Sequence, residues 1–358
     1  MTTNFINRLC LKIIYSLYLI GKYFGIVTAT YCPVENKVIR SKLLTKIFAG
    51  FRTAITFVLV IVTFAFSDYK YDPVSITFVL QSSLTFSTTL LLIVTQVKGA
   101  NKLIELINEF ISLQLELKSK KGVKQFFGNT FFVMLFFKVL TNTYLCFVDI
   151  PFMFTLPDAL SMLMFSGQIF IWSGTLIFFN FAFIGLMCAS AFQANMFEYL
   201  QNCWKLKEID EYSELSLRFY KVYKQFLNAV RTHFLMAFIF YTLSIGSGLS
   251  LTITSGIENT WLFAHAFLYH SCCIVDVVLF NMAAELVERN SYKRNFSKVD
   301  LLTNDTKELD MLNSQMKTEN FEIWLLGLFK MGNQLNLGFI SAVITYVVYL
   351  VQFKNKNY

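Results

Sequence analysis

Apolar side chains dominate seven stretches of the chain, and each stretch is long enough to cross a bilayer as a helix. A membrane helix needs about 20 mostly apolar residues. The seven stretches are 47–66, 74–97, 127–148, 161–192, 233–253, 261–284 and 334–353. The fourth exceeds what a bilayer requires, so we expect that helix to continue beyond the membrane. The pattern predicts an all-α membrane protein with seven transmembrane helices.

An eighth apolar stretch, residues 9–31, differs from the others because it carries Lys12 and Lys22. Each lysine would cost about 2.5 to 3.5 kcal/mol at the centre of a bilayer. We therefore interpret this segment as an interfacial or re-entrant helix.

The longer linkers also carry helical patterns. Leu106 and Leu113 repeat at helical spacing within 101–118, and Leu215 and Phe219 do so within 212–230. The polar stretch after span six predicts a loop and then a helix that begins near Thr306, with Thr306 as its N-cap. These segments predict a cytoplasmic helical anchor layer, whose apolar stripes either pack within the subunit or form an assembly surface.

This pattern divides the chain into four parts. Residues 1–46 form a cytoplasmic N-terminal segment with the interfacial helix, and residues 47–290 hold spans one to six with their cytoplasmic helical linkers. Residues 291–330 form the cytoplasmic anchor helix region, and residues 331–358 form span seven with a short extracellular tail.

Composition agrees with a membrane protein. Hydrophobic residues make up 55% of the chain and charged residues 15%, with a mean hydropathy of +0.53. A soluble domain carries roughly 25% charged residues, so lipid must cover the apolar excess. The seven cysteines show neither metal-ligand spacing nor a disulfide framework, and we expect no metal and no cofactor.

Basic residues set the orientation, since lysine and arginine accumulate on the cytoplasmic side of membrane proteins. The segment before span one and the linkers after spans two, four and six hold 26 of the 31 lysines and arginines. The alternate linkers hold only Lys70. We therefore expect a cytoplasmic N-terminus and an extracellular C-terminus, which is opposite to a G-protein-coupled receptor. The inner linkers also account for the net charge of +8, so no nucleic-acid partner is implied.

Enzymatic motifs are missing from the sequence, which has no phosphate-binding glycine loop and no nucleophile elbow. Charged residues inside spans are more informative, because they are costly in hydrocarbon and face a bundle interior or a water-filled path. Lys138 lies near the middle of span three and Asp276 in span six. They can pair with each other, or each can find a separate partner or water. Arg52 lies close enough to the inner boundary to extend its charged end to it.

The outer halves of the spans contain polar and amphipathic side chains among aromatic ones, which suits a small organic ligand. Tryptophan and tyrosine at such positions can instead form an interfacial anchoring belt. The candidate pocket residues are Gln81 and its neighbour Ser82, Asn142, Tyr144, Gln168, Trp172, Ser247, Trp261, His265 and Tyr269.

Span seven aligns small and polar residues on one helical face, with steps of four, three, four, three and four residues. The stripe consists of Gln334, Gly338, Ser341, Thr345, Val348 and Gln352. A helix surrounded by lipid has no reason to align polar groups, whereas a helix lining water does. Tight helix packing through small residues is the alternative. The pore interpretation assigns Ser341, Thr345, Val348 and Gln352 as pore-lining and requires several subunits around one axis.

The end of span seven, "TYVVYLVQF", resembles the signature of the insect gustatory receptors. That signature is Thr-Tyr, five hydrophobic residues, then Gln-Phe, here Thr345, Tyr346, Gln352 and Phe353. The preceding residues Gly327, Leu328 and Phe329 are similar to the family's lead-in. The motif covers about 27 residues near the end of the chain.

The resemblance implies a ligand-gated, non-selective cation channel in the plasma membrane of a sensory neuron. It implies a tetramer of like subunits, homomeric or with gustatory co-receptors, that detects bitter or other small-molecule tastants. The final helix of each subunit would line the pore, with Gln352 at the extracellular gate and 306–330 as an anchor helix. An odorant-receptor-like channel subunit, a G-protein-coupled receptor and a transporter remain alternatives.

Overall fold

The computed structural model describes most of the chain. The described residues are 2–27, 29–66, 73–120, 127–148, 150, 154, 158–201, 206–254, 260–296, 314, 318–325 and 327–356.

Nine long helices and two short hairpins account for most of the described residues. The elements before span three are α1 (Thr2–Tyr23), β1 (Ala29–Cys32), β2 (Lys37–Arg40), α2 (Lys42–Phe66), α3 (Pro73–Lys98) and α4 (Ala100–Ser119). The later elements are α5 (Asn129–Phe147), α6 (Ala159–Gln201), α7 (Leu206–Thr254), α8 (Thr260–Phe296), β3 (Trp324–Leu325), β4 (Phe329–Lys330) and α9 (Asn333–Lys356).

The predicted spans all fall on helices. Among the described residues, four helical stretches are long and apolar enough to cross a membrane, namely Asn129–Phe147, Phe165–Leu200, Glu208–Gly246 and Phe267–Ser291. The other three predicted spans lie on α2, α3 and α9. The fourth span does continue as one helix, because α6 has 43 residues.

Helix α6 is the centre of the bundle. In its apolar window 78% of the residues are buried, against 39 to 50% in the other three candidate spans. It packs against α1, α2, α3, α5, α7 and α8. Glycine permits a close approach to α7: a Cβ at Gly185 would lie 2.5 Å from the ring of Phe226.

The apolar stripes of the linkers pack within the subunit. Leu106, Leu113 and Leu117 of α4 are buried, and α4 contacts α7. Phe219 of α7 stacks on Phe192 of α6 with ring centroids 4.4 Å apart. Of the two roles left open by the sequence for these stripes, packing within the subunit is the one observed for the described residues.

The N-terminal segment contains a hairpin that the sequence pattern did not indicate. Helix α1 ends at Tyr23, and strands β1 and β2 pair antiparallel between Ala29 and Arg40. The prediction of a helix over 9–31 is therefore wrong beyond Tyr23. The Asn108 side chain of α4 accepts from the N–H of Val38 at 2.7 Å and donates to its carbonyl at 3.1 Å. This distant partner holds the hairpin.

Arg52 does not extend to the membrane boundary as expected. Its side chain is only 1% exposed, donates to the carbonyl of Phe24 and lies 5.4 Å from the ring centroid of Phe170. Gln96 donates to the next two carbonyls, those of Gly25 and Ile26. The turn after α1 thus supplies one acceptor to the buried arginine and two to Gln96.

The helix predicted from about 306 to 330 is wrong from residue 319 onward, because none of the described residues from 319 to 330 is helical. Strands β3 and β4 pair antiparallel there, with Gly327 between them at a φ of 71°. The left-handed conformation favours glycine there. The predicted helix start at Thr306 lies outside the described residues.

Candidate functional site

A cavity of about 180 Å³ lies between α3, α6, α7 and α8. Faces of α3 and α6 supply most of its described wall, because residues three and four apart on a helix share a face. It is lined by Ser82, Thr85, Phe86, Phe165, Gln168, Ile169, Ile171, Trp172, Phe240 and Tyr269. The structure thus brings Gln168, Trp172 and Tyr269 together with Ser82.

Asn142 and Tyr144, also predicted for the pocket, are not among the described residues that line the cavity. Asn142 is buried and donates to Asn180 Oδ1 at 2.5 Å, so it joins α5 to α6. Tyr144 packs half-buried against the core from α5. The side chains of Gln81, Ser247, Trp261 and His265 lie outside the described residues.

Sequence reasoning missed the apolar part of the wall. Phe86, Phe165 and Phe240 line the cavity, but the chain has 40 phenylalanines. An aromatic residue in a span packs equally well against lipid, protein or ligand. No sequence signal therefore separates these three from the rest.

Close to the cavity lies a buried ion pair. Lys138 Nζ donates to Asp276 Oδ1 at 2.5 Å, and both side chains are 0% exposed. Tyr241 donates its hydroxyl to the other oxygen, Asp276 Oδ2, at 2.6 Å. Lys138 Nζ also lies 3.9 Å from the ring centroid of Phe280. Each charge is thus met by an opposite charge, a hydrogen bond or an aromatic face, which a buried pair needs in order to persist.

Aromatic contacts join the cavity to this pair. Trp172 lies 4.1 Å from Phe240 between ring centroids, and 6.4 Å from Tyr241 in an edge-on arrangement. Trp172 and Phe240 line the cavity, while Tyr241 binds Asp276. A ligand that moved either ring would therefore press on the group that holds the ion pair.

Helix α8 continues from the ion pair to α9. Asn281, five residues after Asp276, donates to Asn336 Oδ1 of α9 at 2.7 Å. Both asparagines are buried. Phe339 of α9 packs on Phe238 of α7 with centroids 5.7 Å apart. The first two turns of α9 are thereby attached to the helices that form the cavity.

The polar stripe of α9 faces away from the rest of the chain. All six of its residues, Gln334, Gly338, Ser341, Thr345, Val348 and Gln352, are exposed, whereas Asn336 and Phe339 on another face are buried. Thr345 donates its hydroxyl to the carbonyl of Ser341 at 2.8 Å. Tyr346 of the sequence motif is 39% exposed, and the side chain of Phe353 lies outside the described residues.

Residues 319–332 fasten the base of α9, and we call them the base segment. Glu319 accepts from Ser216, and the carbonyl of Phe321 accepts from Tyr223, both on α7. Glu285 of α8 accepts from the backbone N–H of Asn333, the first residue of α9, at 3.1 Å. A carboxylate at this position also suits the positive end of the helix dipole.

Lys330 joins the base segment to α8. Its Nζ donates to Glu288 at 2.6 Å and to Glu322 at 2.7 Å. Burial works against the charge of Lys330, but these two hydrogen bonds outweigh it and raise the pKa of Lys330. The hydrogen bond from Lys330, with a further one from Trp324, lowers the pKa of Glu322.

Comparison with known proteins places this geometry in context. The family model described as 7tm Chemosensory receptor matches residues 14–357. The chain is 26% identical to "Putative gustatory receptor 93c" of Drosophila melanogaster over 290 residues, 73% of each chain. It is 21% identical to "Gustatory receptor for bitter taste 93a" of the same species over 298 residues, 73% of this chain and 70% of that one.

Among solved structures, the olfactory receptor OR5 of Machilis hrabei matches with a TM-score of 0.66 and 11% identity. The match covers 96% of this chain and 98% of that one. A structure of the same receptor in complex with eugenol matches with a TM-score of 0.56 and 12% identity. The shared fold confirms the predicted seven-helix architecture.

The buried ion pair generates the first prediction. Asp276→Asn should lower the free energy of unfolding by about 3 to 5 kcal/mol, because it leaves the Lys138 charge buried without its partner. The melting temperature of the purified protein in nanodiscs measures this. The double variant Lys138→Met with Asp276→Leu should recover most of the loss, since neither charge then remains.

Asp210→Asn, at an exposed position on α7, is the matched control. Equal melting temperatures for Asp276→Asn and the control would contradict the assignment.

The base segment generates the second prediction. Because folding lowers the pKa of Glu322, its carboxylate contributes fully to stability above pH 4.5, the ordinary pKa of the group. This contribution is lost as the pH falls through the lower pKa that Glu322 has in the folded protein. Because folding raises the pKa of Lys330, its contribution to stability is fully present below pH 10.5. It is lost as the pH rises through the higher pKa that Lys330 has in the folded protein. At pH 7 both are present, so Lys330→Gln should reduce the hydrogen-exchange protection of residues 319–332 by roughly three- to tenfold.

Two comparisons control this experiment. Lys221→Gln removes an exposed lysine from α7 and should leave the protection of the base segment unchanged. Glu322→Gln combined with Lys330→Gln should lose little more protection than Lys330→Gln alone, because the two residues share a hydrogen bond. Fully additive losses would show that the Lys330–Glu322 contact does not hold the segment.

Proposed function

Because the chain belongs to the 7tm chemosensory receptor family, we propose that it is a gustatory receptor that works as a ligand-gated, non-selective cation channel. The observation that carries the proposal is the exposed stripe on α9 from Gln334 to Gln352. Polar groups cost free energy against lipid, so their alignment on an uncovered face favours contact with water. One helix cannot enclose a pore. The proposal therefore requires like subunits, in a tetramer that is homomeric or includes gustatory co-receptors, with one α9 from each around the axis.

The ligand is a small-molecule tastant that binds in the cavity beside Trp172. The cavity supports this, since it combines aromatic walls with a few polar groups. Similarity to a relative named for bitter taste supports a bitter or other contact chemical. The family's curated relatives are named as receptors, so the proposal includes no enzymatic step.

Gating follows from where the cavity lies. A ligand shifts the equilibrium between closed and open states only by binding the open state more tightly. Binding beside Trp172 and Phe240 acts on Tyr241 and so on α8, the helix that carries Asp276 and Asn281. Because Asn281 binds Asn336, movement of α8 changes the angle at which α9 leaves the base segment. Four such movements widen the ring formed by Val348 and Gln352, and cations then depolarise the sensory neuron.

Orientation separates this proposal from a G-protein-coupled receptor. The distribution of basic residues favours a cytoplasmic N-terminus and an extracellular C-terminus in the plasma membrane. An epitope tag before Met1 should therefore be stained only in permeabilised cells, and a tag after Tyr358 in intact cells. Staining of the N-terminal tag in intact cells would contradict the channel orientation and favour a G-protein-coupled receptor.

The pore assignment gives a further prediction. Gln352→Ala should change ion selectivity or block while leaving surface expression intact, because Gln352 is exposed and makes no contact that the fold of the described residues depends on. Whole-cell recording with a tastant panel and several permeant cations measures this. Gln225→Ala, at an exposed position in the first half of α7, is the matched control. Unaltered selectivity, conductance and gating in Gln352→Ala would make the pore assignment wrong.

A further inference from the structure

The described residues that line the cavity include no charged one, and this restricts what can bind there. Residues 73–97, 159–197 and 232–257, which include the parts of α3, α6 and α7 that form the wall, hold no Asp, Glu, Lys or Arg. On α8 the first charged residue is Asp276, whose two oxygens already accept from Lys138 and Tyr241. Arg52 of α2 lies against a different face of α6, beside Phe170, and donates to the carbonyl of Phe24. A charged ligand would be desolvated without a countercharge, at a cost of several kcal/mol.

The volume indicates how much of a ligand the cavity can hold. An engineered cavity of about 150 Å³ in another protein accommodates one benzene molecule. At about 180 Å³ this cavity is slightly larger, so it holds one six-membered ring with a short substituent.

Two polar groups in the wall define the substituent. Gln168 and Trp172 lie one turn apart on α6, and neither the amide of Gln168 nor the indole N–H of Trp172 hydrogen-bonds to another described residue. Ser82 adds a hydroxyl from α3. Phe240 covers one ring face of Trp172, with 4.1 Å between the ring centroids.

We propose that the cavity selects uncharged molecules that consist of one aromatic ring and one short hydroxyl- or carbonyl-bearing substituent. The ring packs among Phe86, Phe165 and Phe240, and the substituent bonds to Gln168. This inference rests on the proposed function, because it takes the cavity as the ligand site. It adds the chemical class of the ligand, which the geometry of the wall defines.

Four probes on one phenyl scaffold test the proposal: 2-phenylethanol, ethylbenzene, phenylacetate and 2-phenylethylammonium. Their apparent Kd values are measured from the ligand-dependent melting temperature of the purified protein in phosphatidylcholine nanodiscs. The alcohol should bind most tightly. Ethylbenzene, which lacks the hydrogen bond, should bind about fivefold more weakly, and both ions more than about 100-fold more weakly. Gln168→Leu should weaken the alcohol about fivefold without affecting ethylbenzene, and Gln225→Leu, at an exposed position, should change neither.

Several outcomes would overturn the proposal. Binding of either ion within tenfold of the alcohol would show that charge is tolerated. An alcohol affinity that Gln168→Leu leaves unchanged would place the ligand elsewhere, and no binding of any probe would exclude the class. The assay needs no current, so it is separate from the channel proposal: tastant-evoked currents without probe binding would overturn the ligand class alone. Probe binding without any tastant-evoked current, whether the chain is expressed alone or with gustatory co-receptors, would support the ligand class and overturn the channel.

Discussion

The ion pair between Lys138 and Asp276 is the constraint on which the rest of the bundle depends. Neither charge can be exposed to hydrocarbon, so α5 and α8 must keep the two side chains within hydrogen-bond distance. Tyr241 adds α7 to the same constraint, because its hydroxyl binds the second carboxylate oxygen. Three helices are thereby fixed in depth and rotation by three side chains. Apolar packing alone fixes the depth and rotation of a helix only weakly, since one phenylalanine contact can replace another at a small cost in free energy.

The position of this pair gives the cavity and α9 a shared support. Trp172 and Phe240, in the cavity wall, lie beside Tyr241 on one side of the pair. Asn281, on the other side, binds Asn336 of α9.

Contact alone does not make a coupling path, which also requires an element with two arrangements. Helix α9 can supply that element because its attachments are unequal. Its first turns bind Glu285 and Asn281, whereas the side chains of Thr345 and Val348 further along are exposed. A small rotation at the fixed base therefore becomes a larger displacement at the end that carries Gln352.

Local pattern accounts for the helices, since each needs only its own residues to satisfy its backbone and present an apolar face. The stripe on α9 could be recognised for the same reason. The two hairpins could not, because partners distant in sequence hold them: Asn108 for Val38, and Ser216 and Tyr223 for the base segment. The expectation for Arg52 failed for a related reason. A single span offers an arginine no acceptor but water, and the sequence does not reveal that the carbonyl of Phe24 comes within reach.

The cavity shows where such prediction ends. In a membrane, a polar side chain is costly unless it has a partner, so Gln168 and the pair of Lys138 and Asp276 could be singled out by their chemistry. A phenylalanine is stable against lipid, against a neighbouring helix or against a ligand, and its sequence position distinguishes none of these. Asn142 shows the opposite error, since its polarity led to its prediction as a pocket residue. In the structure it instead joins two helices through its hydrogen bond to Asn180. Polarity thus identifies residues that need a partner, and only the three-dimensional arrangement shows whether that partner is another helix or a bound molecule.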